Sequence, residues 1–403
     1  MALDKQSVRF VEDPRVLAVN LWYKIHNVKY EKMKILFCNN NLDGMLLFRR
    51  EVMCHFLETG CDVVVITPDK TSSLGADKLP DGIRFRCVKM NRTSTNPFLD
   101  FMYVLRLAKV FRQERPDYIF NYTIKPNIYG SIVAKMLGIP CTCMMAGLGY
   151  AFTNNGLPSR LAKVLYKIGI RNSQHLLLLN ESNVQLVKSL GLCDDKKIVF
   201  LEGGEGVNLS HYTFSDNQSD VTTFLFIARL IEEKGYMEFV DAARIVRKKH
   251  PEVRFQVIGE YDPGYPKAVT QEQVMSDVSE GVIEFLGTTN DMRQYYRQPG
   301  YVICIPSYYS EGLNRSLMEG CSAGKPIITT DHPGCREMVI DGVNGFMVPP
   351  RDSKALADAI MKYLALSPES KQQMSLESRT LAERKFDVNH VINVYDRIVN
   401  FEL

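Results

Sequence analysis

The sequence predicts an α/β protein made of two doubly wound domains that face a central cleft. From Lys34 onwards, short apolar runs alternate with helical patterns, and the alternation stops in the polar stretch 209–220 before it restarts. The chain has 403 residues, of which 45% are hydrophobic, and this length suits two domains of ordinary size. Strands that alternate with helices form parallel sheets, whose ligands bind beyond the carboxyl ends of the strands.

The first domain is predicted over residues 33–208 and contains six apolar runs with the length of strands. They are KILFC, CDVVVITP, PDYIFNYT, PCTCMMAG, HLLLLN and KIVFLEGG. Helical segments separate them, and Gly60 closes the first, MLLFRREVMCHFLETG. Residues 1–32 contain the only tryptophan, Trp22, and do not fit the alternation. We treat them as an N-terminal extension without an assigned function.

The second domain is predicted over residues 221–384, after the linker 209–220. Its strands are TTFLFIARL, VRFQVIGE, GVIEFLGTT, YVICIPS, PIITTD and GFMVPP. The tail, 385–403, contains FDVNHVINVYDRIVNF, whose apolar residues recur with a helical period. We expect this C-terminal helix to pack back on the first domain.

The composition argues against several classes of protein. Lys and Arg exceed Asp and Glu by 49 − 46 = 3, which is too small an excess to indicate a nucleic-acid binder. The ten cysteines include no CxxC pair, so a zinc site is not expected. No apolar run approaches the roughly 20 residues that span a bilayer. We therefore expect a soluble or peripheral protein of the cytoplasm.

The segment SYYSEGLNRSLME places two glutamates, Glu311 and Glu319, directly after a predicted strand. If a helix starts at Leu313, the free amides at its start form an anion site, and they belong to Gly312, Leu313 and Asn314. The two carboxylates lie too far apart along this segment to share a proton, so we expect them to hold separate hydroxyl-bearing parts of one ligand. The spacing leaves a structural alternative open, in which Glu311 caps the helix and Glu319 is solvated.

A second loop carries two basic residues after the predicted strand TTFLFIA. Arg229 and Lys234 flank the short turn RLIEEKG, which suits a diphosphate. The alternative is a solvated turn in which Lys234 pairs with a neighbouring glutamate. In the first domain, the loop NNNLDG lacks the GxGxxG pattern, which counts against a dehydrogenase.

Taken together, RLIEEKG, GGEGVN and SYYSEGLNRSLMEGCSAGKPIITTDHPGCREMVIDGVNGFMV resemble the retaining nucleotide-sugar glycosyltransferases of family four, which have the GT-B fold. The E-x7-E element from Glu311 to Glu319 is the most specific marker. The resemblance runs from about Met33 to the C-terminus, so it covers nearly the whole chain apart from the extension.

This resemblance implies a role for each matching residue. Arg229 and Lys234 match the pair that contacts the donor diphosphate, and Glu311 matches the glutamate beside the donor sugar. The other donor-binding positions are Gly44, Gly312, Leu313, Asn314 and Glu319, of which Glu319 matches the ribose-binding glutamate. The resemblance also implies a UDP-sugar donor, no metal cofactor, and a leaving phosphate that takes the acceptor proton.

The first domain resembles bacterial transferases of surface-glycan assembly in FNYTIKPNIYG, AGLGYAFTNNG and LLLLNESNVQLVKSLGL. Such enzymes move a hexose or N-acetylhexosamine onto an undecaprenyl-diphosphate-linked sugar. The resemblance places the acceptor side at Lys125, Asn127, Gly147 and Gly149. Two features depart from the family: Glu205 stands where many relatives carry a small residue, and the common first-domain histidine has no counterpart.

A lipid-linked acceptor implies a peripheral protein on the inner face of the cell membrane. One candidate for the contact is a basic stripe on the predicted helix SRLAKVLYKIGIRN, with Arg49 and Arg50 as further candidates. The stripe consists of Arg160, Lys163, Lys167 and Arg171. A solvated helix face explains the same spacing.

Two other functions share this architecture. A nucleotide-sugar 2-epimerase needs catalytic carboxylates and histidines in the first domain, which the sequence does not reveal. A non-catalytic sugar-nucleotide-binding subunit is expected to have lost part of the set Arg229, Lys234, Glu311 and Glu319, and all four are present.

Overall fold

The computed structural model describes residues 33–69, 79–92, 94, 96–147 and 157–403, except for the side chains of 157–162. Two all-parallel sheets organise this part of the chain. The first has seven strands in the order β3-β2-β1-β4-β5-β6-β7, and the second has six in the order β10-β9-β8-β11-β12-β13. Helices cover both faces of each sheet, which is the doubly wound arrangement expected from the alternating pattern.

The first sheet and its helices occupy residues 34–200. Its strands are β1 Lys34–Cys38, β2 Asp62–Thr67, β3 Arg84–Cys87, β4 Tyr118–Tyr122, β5 Cys141–Met145, β6 His175–Leu178 and β7 Ile198–Phe200. Its helices are α1 Leu42–Glu58, α2 Pro97–Glu114, α3 Ser131–Leu137, α4 Leu157–Asn172 and α5 Glu181–Ser189, with a π-helical turn at Pro126–Gly130.

The second sheet begins after the polar linker. Its strands are β8 Thr223–Ile227, β9 Arg254–Ile258, β10 Glu284–Phe285, β11 Tyr301–Ile305, β12 Ile327–Thr330 and β13 Gly345–Val348. The helices are α6 Tyr236–Arg247, α7 Gln271–Ser279, α8 Arg293–Tyr296, α9 Arg315–Ser322, α10 Ser353–Leu364, α11 Pro368–Lys385 and α12 Val388–Val399. Short 3-10 turns lie at Glu232–Lys234 and Arg336–Met338.

Two helix starts differ from the sequence expectation, and in both an asparagine decides the position. Helix α1 begins at Leu42 because Asn41 caps it, so Gly44 lies in the first turn of the helix rather than in the preceding loop. Helix α9 begins at Arg315 and not at Leu313, because the Asn314 side chain accepts the Leu317 N–H at 3.2 Å.

The last helix, α12, packs on the first sheet although it follows the second domain in sequence. Its Val391, Tyr395 and Ile398 belong to the same buried core as residues of β1 and β4. The Tyr395 ring lies 4.7 Å from the Phe120 ring, and its hydroxyl lies 3.0 Å from the Tyr122 hydroxyl. The chain therefore crosses between the domains twice, and helix α12 ties the C-terminus to the first domain.

The two crossings lie side by side. Backbone hydrogen bonds join Val207 to Phe386 at 2.7 Å and Val388 to Val207 at 3.1 Å. A Cβ on Gly203 would approach the Lys385 carbonyl oxygen within 1.8 Å, so the two connecting segments pack as closely as backbone allows.

The order of the strands marks where ligands bind. In the second sheet the chain moves outward from β8 to β9 and then returns to place β11 on the other side of β8. The loops after β8 and β11 therefore diverge at the carboxyl edge and leave a crevice between them. Among the described helices, none has the length and apolar character needed to cross a bilayer.

We predict that Tyr395→Ala lowers the free energy of unfolding of the first domain by about 3–5 kcal/mol, because it removes a buried ring from a packed core. Chemical denaturation followed by tyrosine fluorescence measures the change. Asn393→Ala on the exposed side of the same helix is the control and is expected to change the free energy by less than about 0.5 kcal/mol. Equal effects of the two variants would contradict the packing of α12.

Candidate functional site

A lysine and a glutamate meet in the crevice of the second sheet. Lys234 ends the 3-10 turn after β8, and Glu311 lies in the loop after β11. The Lys234 Nζ donates to both carboxylate oxygens of Glu311, at 2.7 and 2.8 Å. The side chain of Lys234 is 9% exposed and that of Glu311 is 22% exposed, so the pair lies at the base of an opening and not on the outer surface.

A glycine makes this contact geometrically possible. Gly235 follows Lys234 with a φ of +85°, which favours glycine, and a Cβ at this position would lie 2.3 Å from the Pro306 carbonyl oxygen. The turn after β8 is consequently pressed against the end of β11. Backbone contact from the Tyr308 N–H to the Glu233 carbonyl, at 2.8 Å, holds the two loops together.

Arg229 joins the pair through a shared aromatic ring. The Tyr309 ring centre lies 4.9 Å from Lys234 Nζ and 5.7 Å from Arg229 Cζ. One Arg229 nitrogen donates to Asp262 at 2.8 Å, and the side chain is 43% exposed. Two cations thus flank one ring at the mouth of the crevice, which is an arrangement that can hold a diphosphate.

The amides expected to form an anion site are arranged differently from the prediction. The Asn314 N–H donates to the Gly334 carbonyl at 2.8 Å, so it is already used inside the protein. The first N–H groups of α9 belong instead to Arg315 and Ser316. The Asn314 side chain donates to the Glu311 carboxylate at 3.1 Å, and this contact orients the carboxylate beside Lys234.

Glu319 lies on α9 with partners of its own and is 5% exposed. Its carboxylate accepts hydrogen bonds from Arg315 at 2.8 Å, Tyr212 at 2.9 Å and Tyr296 at 3.3 Å. The structural alternative of a solvated Glu319 is therefore wrong. A ribose hydroxyl would have to join or replace these donors, and the ribose role stays a prediction.

Gly44 is connected to the second domain through charged and aromatic side chains. Its carbonyl accepts from Arg49 at 3.2 Å, and Arg49 forms a buried ion pair with Glu205. The Phe48 ring centre lies 5.3 Å from Arg49 Cζ and 5.5 Å from Arg315 Cζ, so it stacks against both guanidinium groups.

Glu205, which departs from the family pattern, therefore has a structural explanation. Burial raises the pKa of its carboxyl, and the positive charges of Arg49 and Arg315 act in the opposite direction. The same contact corrects an expectation about the membrane: Arg49 is 5% exposed and cannot face a lipid surface. Sequence reasoning missed this pairing because Arg49 and Glu205 are distant from each other in the chain.

The acceptor-side positions lie in different environments. Lys125 forms an ion pair with Asp100 and also donates to the Ser94 carbonyl at 2.7 Å. Asn127 is fully buried and donates to the Met144 carbonyl and the Tyr166 hydroxyl, so its side chain is used inside the protein, and its place at the acceptor side stays a prediction. It supports the packing of α4 against the end of β5 instead.

Gly147 lies at the domain interface. A Cβ there would lie 3.6 Å from the Ser310 carbonyl oxygen and 3.7 Å from the Glu311 Cα, so this glycine faces the loop after β11 directly. Gly149 lies outside the described residues.

The basic stripe expected on α4 is not a single exposed face. The side chain of Arg160 is not among those that the structure describes. Lys163 and Lys167 are half-buried, and Arg171 is exposed. Val164 and Ile168 on the same helix are exposed by 56% and 45%.

Asn180 is a residue at the site that sequence reasoning missed. Its side-chain oxygen caps α5 by accepting the Asn183 N–H at 2.8 Å. Its side-chain nitrogen donates to the carbonyl oxygens of Glu311 at 3.1 Å and Gly312 at 2.9 Å. The first domain thus holds the backbone of the loop that carries Glu311. The N-cap was readable from the sequence, but the contact with the other domain was not.

Gly312 allows the loop to come this close. A Cβ at Gly312 would lie 2.5 Å from the Ala146 carbonyl oxygen and 2.8 Å from the Leu179 side chain. Any larger residue would push the Glu311 loop away from the ends of β5 and β6. The candidate site is therefore built from both domains.

The residues that the structure describes contain no group of three or more His, Cys, Asp or Glu side chains with the arrangement of a metal site. Metal independence stays a prediction.

Two family models match the chain, one in each half. The model described as Glycosyl transferases group 1 matches residues 221–365, and the model described as Glycosyl transferase 4-like matches residues 34–180. The chain belongs to the family-four glycosyltransferases. The crevice described above lies in the half that matches the group 1 model, and Asn180 is the last residue matched by the 4-like model.

Relatives of this glycosyltransferase match it over most of its length. The N,N'-diacetylbacillosaminyl-diphospho-undecaprenol alpha-1,3-N-acetylgalactosaminyltransferase of Campylobacter jejuni is 26% identical and covers 91% of this chain and 99% of its own. The UDP-Gal:alpha-D-GlcNAc-diphosphoundecaprenol alpha-1,3-galactosyltransferase of Escherichia coli is 23% identical, with coverage of 73% and 78%. The structure of Anabaena HepE with UDP-glucose has a TM-score of 0.73 at 18% identity and covers 92% and 100%. The predicted GT-B fold is confirmed.

We predict that Asn180→Ser lowers kcat by roughly tenfold to a hundredfold, because serine retains the cap of α5 but cannot reach the two carbonyls of the Glu311 loop. The thermal midpoint is expected to change by only a few degrees. Steady-state kinetics with the donor, together with differential scanning fluorimetry, separates the two effects.

The control is Asp352→Ser, which replaces another N-cap, on α10, whose side chain bonds only the local Ala355 N–H at 2.8 Å. It is expected to retain kcat within about twofold. If Asn180→Ser has the same kcat as this control, the contact between Asn180 and the Glu311 loop does not contribute to turnover.

Proposed function

We propose that this glycosyltransferase is retaining and moves a hexose or an N-acetylhexosamine from a UDP-sugar to a lipid-diphosphate-linked saccharide in the synthesis of a capsule, O-antigen or other surface polysaccharide. The observation that carries the proposal is the cluster of Lys234, Glu311 and Arg229 at the switch point of the second sheet. The activities of the Campylobacter jejuni and Escherichia coli relatives support the class of acceptor.

The cluster suits departure of a nucleoside diphosphate. Negative charge builds on the leaving diphosphate as the bond to the sugar breaks, and fixed cations stabilise that charge. Lys234 and Arg229 are the cations at the mouth of the crevice. Lys234 is balanced by Glu311 when no donor is bound, so an incoming diphosphate would share Lys234 with the carboxylate. We propose that no metal is required for this stabilisation.

Glu311 is the residue we assign to the donor sugar. Lys234 and the Asn314 amide donate to its carboxylate oxygens, which belong to a side chain that is 22% exposed. They can accept hydrogen bonds from sugar hydroxyls. The acceptor hydroxyl would attack from the same face as the leaving group, and the leaving phosphate would take its proton, so no protein base is assigned.

A transfer assay with radiolabelled UDP-N-acetylgalactosamine, UDP-N-acetylglucosamine and UDP-galactose tests the proposal. The acceptor is undecaprenyl-diphosphate-linked N-acetylglucosamine in detergent micelles. We expect label from one of these donors in the lipid fraction and an α-linked product. A new nucleotide sugar formed without acceptor would identify a 2-epimerase, and donor binding without either product would identify a non-catalytic subunit.

We predict that Lys234→Ala and Glu311→Ala each lower kcat by roughly 10²–10³-fold, because each removes a charge placed at the reacting groups. Both variants are expected to fold, since neither side chain belongs to an apolar core. Lys188→Ala, which removes an exposed ion pair with Asp195, is the matched control and is expected to stay within about twofold. Near-normal turnover by either site variant argues strongly against the assignment.

A further inference from the structure

Four charged side chains of alternating sign lead from the first domain to Glu319. Arg49 on α1 forms an ion pair with Glu205, which lies in the segment after β7. Arg315 is the first residue of α9, and its Nε donates to the Glu319 carboxylate at 2.8 Å. None of the four side chains is more than 14% exposed. We call Arg49, Glu205, Arg315 and Glu319 the charge quartet.

The two arginines of the quartet share one aromatic ring. The centre of the Phe48 ring is 5.3 Å from the Arg49 Cζ and 5.5 Å from the Arg315 Cζ. A ring stabilises a guanidinium group over its face, but two cations that share a ring repel each other. The carboxylate of Glu205 offsets this repulsion. Burial raises the pKa of its carboxyl, and the charges of Arg49 and then Arg315 oppose that rise.

Arg315 occupies a position that is unfavourable for a cation. The dipole of α9 repels positive charge at the first residue of the helix. Burial also removes most of the water that would hydrate the guanidinium group. Arg315 is stable there because of its partners, which are Glu319 in the same helix and Phe48 and Glu205 from the first domain. The first domain therefore helps to set the position of Arg315.

The backbone on each side of Glu205 is fixed by close contacts. Gly204 and Gly206 have φ angles of +62° and +66°. A Cβ on Gly204 would lie 2.8 Å from a side-chain carbon of Leu313 in the loop after β11. A Cβ on Gly206 would lie 2.7 Å from the Val388 Cα in α12. The segment that connects the domains thus presents Glu205 to the two arginines from a fixed position.

We propose that Glu205 is a positioning residue for the nucleotide part of the donor. It holds Arg315 in place by balancing the charge of Arg49, and Arg315 in turn holds the Glu319 carboxylate in the orientation that accepts ribose hydroxyls. Glu205 acts through Arg315 and does not contact the nucleotide. This inference rests on the proposed function in one point, which is a UDP-sugar donor whose ribose donates to Glu319.

The charges of the quartet give the direction of the effect. Without the charge of Glu205, two cations and one carboxylate remain, and Arg49 and Arg315 repel each other across their shared ring. Glu51 on α1 also attracts Arg315. Arg315 would therefore leave the position from which it donates to Glu319, and the carboxylate would lose the bond that orients it.

Binding of UDP and its deoxy analogues to the full chain tests the proposal without acceptor or transfer. Isothermal titration calorimetry gives the Kd for UDP, 2′-deoxy-UDP and 3′-deoxy-UDP. The ratio of the deoxy Kd to the UDP Kd reports the hydroxyl contact, because the attraction of the cations for the diphosphate cancels. We expect a ratio of roughly tenfold or more for at least one analogue in the unchanged chain, and about twofold or less in Glu319→Gln.

We expect Glu205→Gln to lower this ratio to about threefold or less, because the orientation of Glu319 is lost. Arg49→Gln/Glu205→Gln is expected to restore the ratio to within about twofold of the unchanged chain, because the charges of Arg315 and Glu319 again balance. A merely structural role of Glu205 predicts the opposite pattern, in which stability falls and the ratio stays the same. Arg315→Gln removes the intermediate residue itself and is expected to lower the ratio as Glu205→Gln does, so the test does not depend on one variant.

Glu114→Gln is the matched control. Glu114 is another buried carboxylate of the first domain, with a side chain that is 4% exposed and ion pairs to Arg84 and Arg86. The control is expected to lower the thermal midpoint and to keep the ratio of the unchanged chain. Circular dichroism confirms that each variant is folded.

Three results would overturn the proposal. They are equal binding of UDP and both analogues by the unchanged chain, an unchanged ratio in Glu205→Gln, and an equal reduction of the ratio in Glu114→Gln. An unchanged ratio in Glu205→Gln together with a reduced ratio in Glu319→Gln would refute the positioning role and leave the proposed function standing. A chain that does not bind UDP would refute the proposed donor as well.

Discussion

The contact between Lys234 and Glu311 depends on two loops that leave neighbouring strands in divergent directions. A lysine with little solvent around it is stable as a cation only beside a carboxylate, and the carboxylate keeps its place only if its backbone is held. Gly235 presses one loop against the end of β11, and Asn314 fixes the carboxylate from the other side. The strands of the second sheet supply the rigid ends to which these loops are attached.

The first domain contributes directly to this arrangement. Asn180 and the close approach at Gly312 attach the Glu311 loop to the ends of β5 and β6. A second connection runs from Gly44 through Arg49 and Glu205 toward Arg315 and Glu319. The candidate site is therefore complete only when the domains are together, and any opening of the cleft would change the backbone that carries Glu311.

The two domains present different kinds of surface. The crevice of the second domain gathers cations around one tyrosine ring and suits a diphosphate. The outer helices of the first domain expose apolar and basic side chains, among them Phe98, Phe101 and Lys109 on α2. The C-terminal helix α12 packs on the opposite face of the first sheet, where its Val391, Tyr395 and Ile398 belong to the buried core.

The sequence by itself determined the alternation of strands and helices, the division into two domains and the helical pattern of the C-terminal tail. It also indicated Arg229, Lys234 and Glu311 as candidate site residues. These follow from local periodicity and from loops at strand ends, which are properties of short segments. Only the tertiary structure decided the start of α9, the burial of Arg49 and Asn127, and the contact of Asn180 with the Glu311 loop. Each of these depends on a partner that is distant in the chain, and periodicity carries no information about which distant segments meet. The same holds for Glu205, whose burial beside Arg49 and Arg315 turned an apparent departure from the family into a buried ion pair within the first domain.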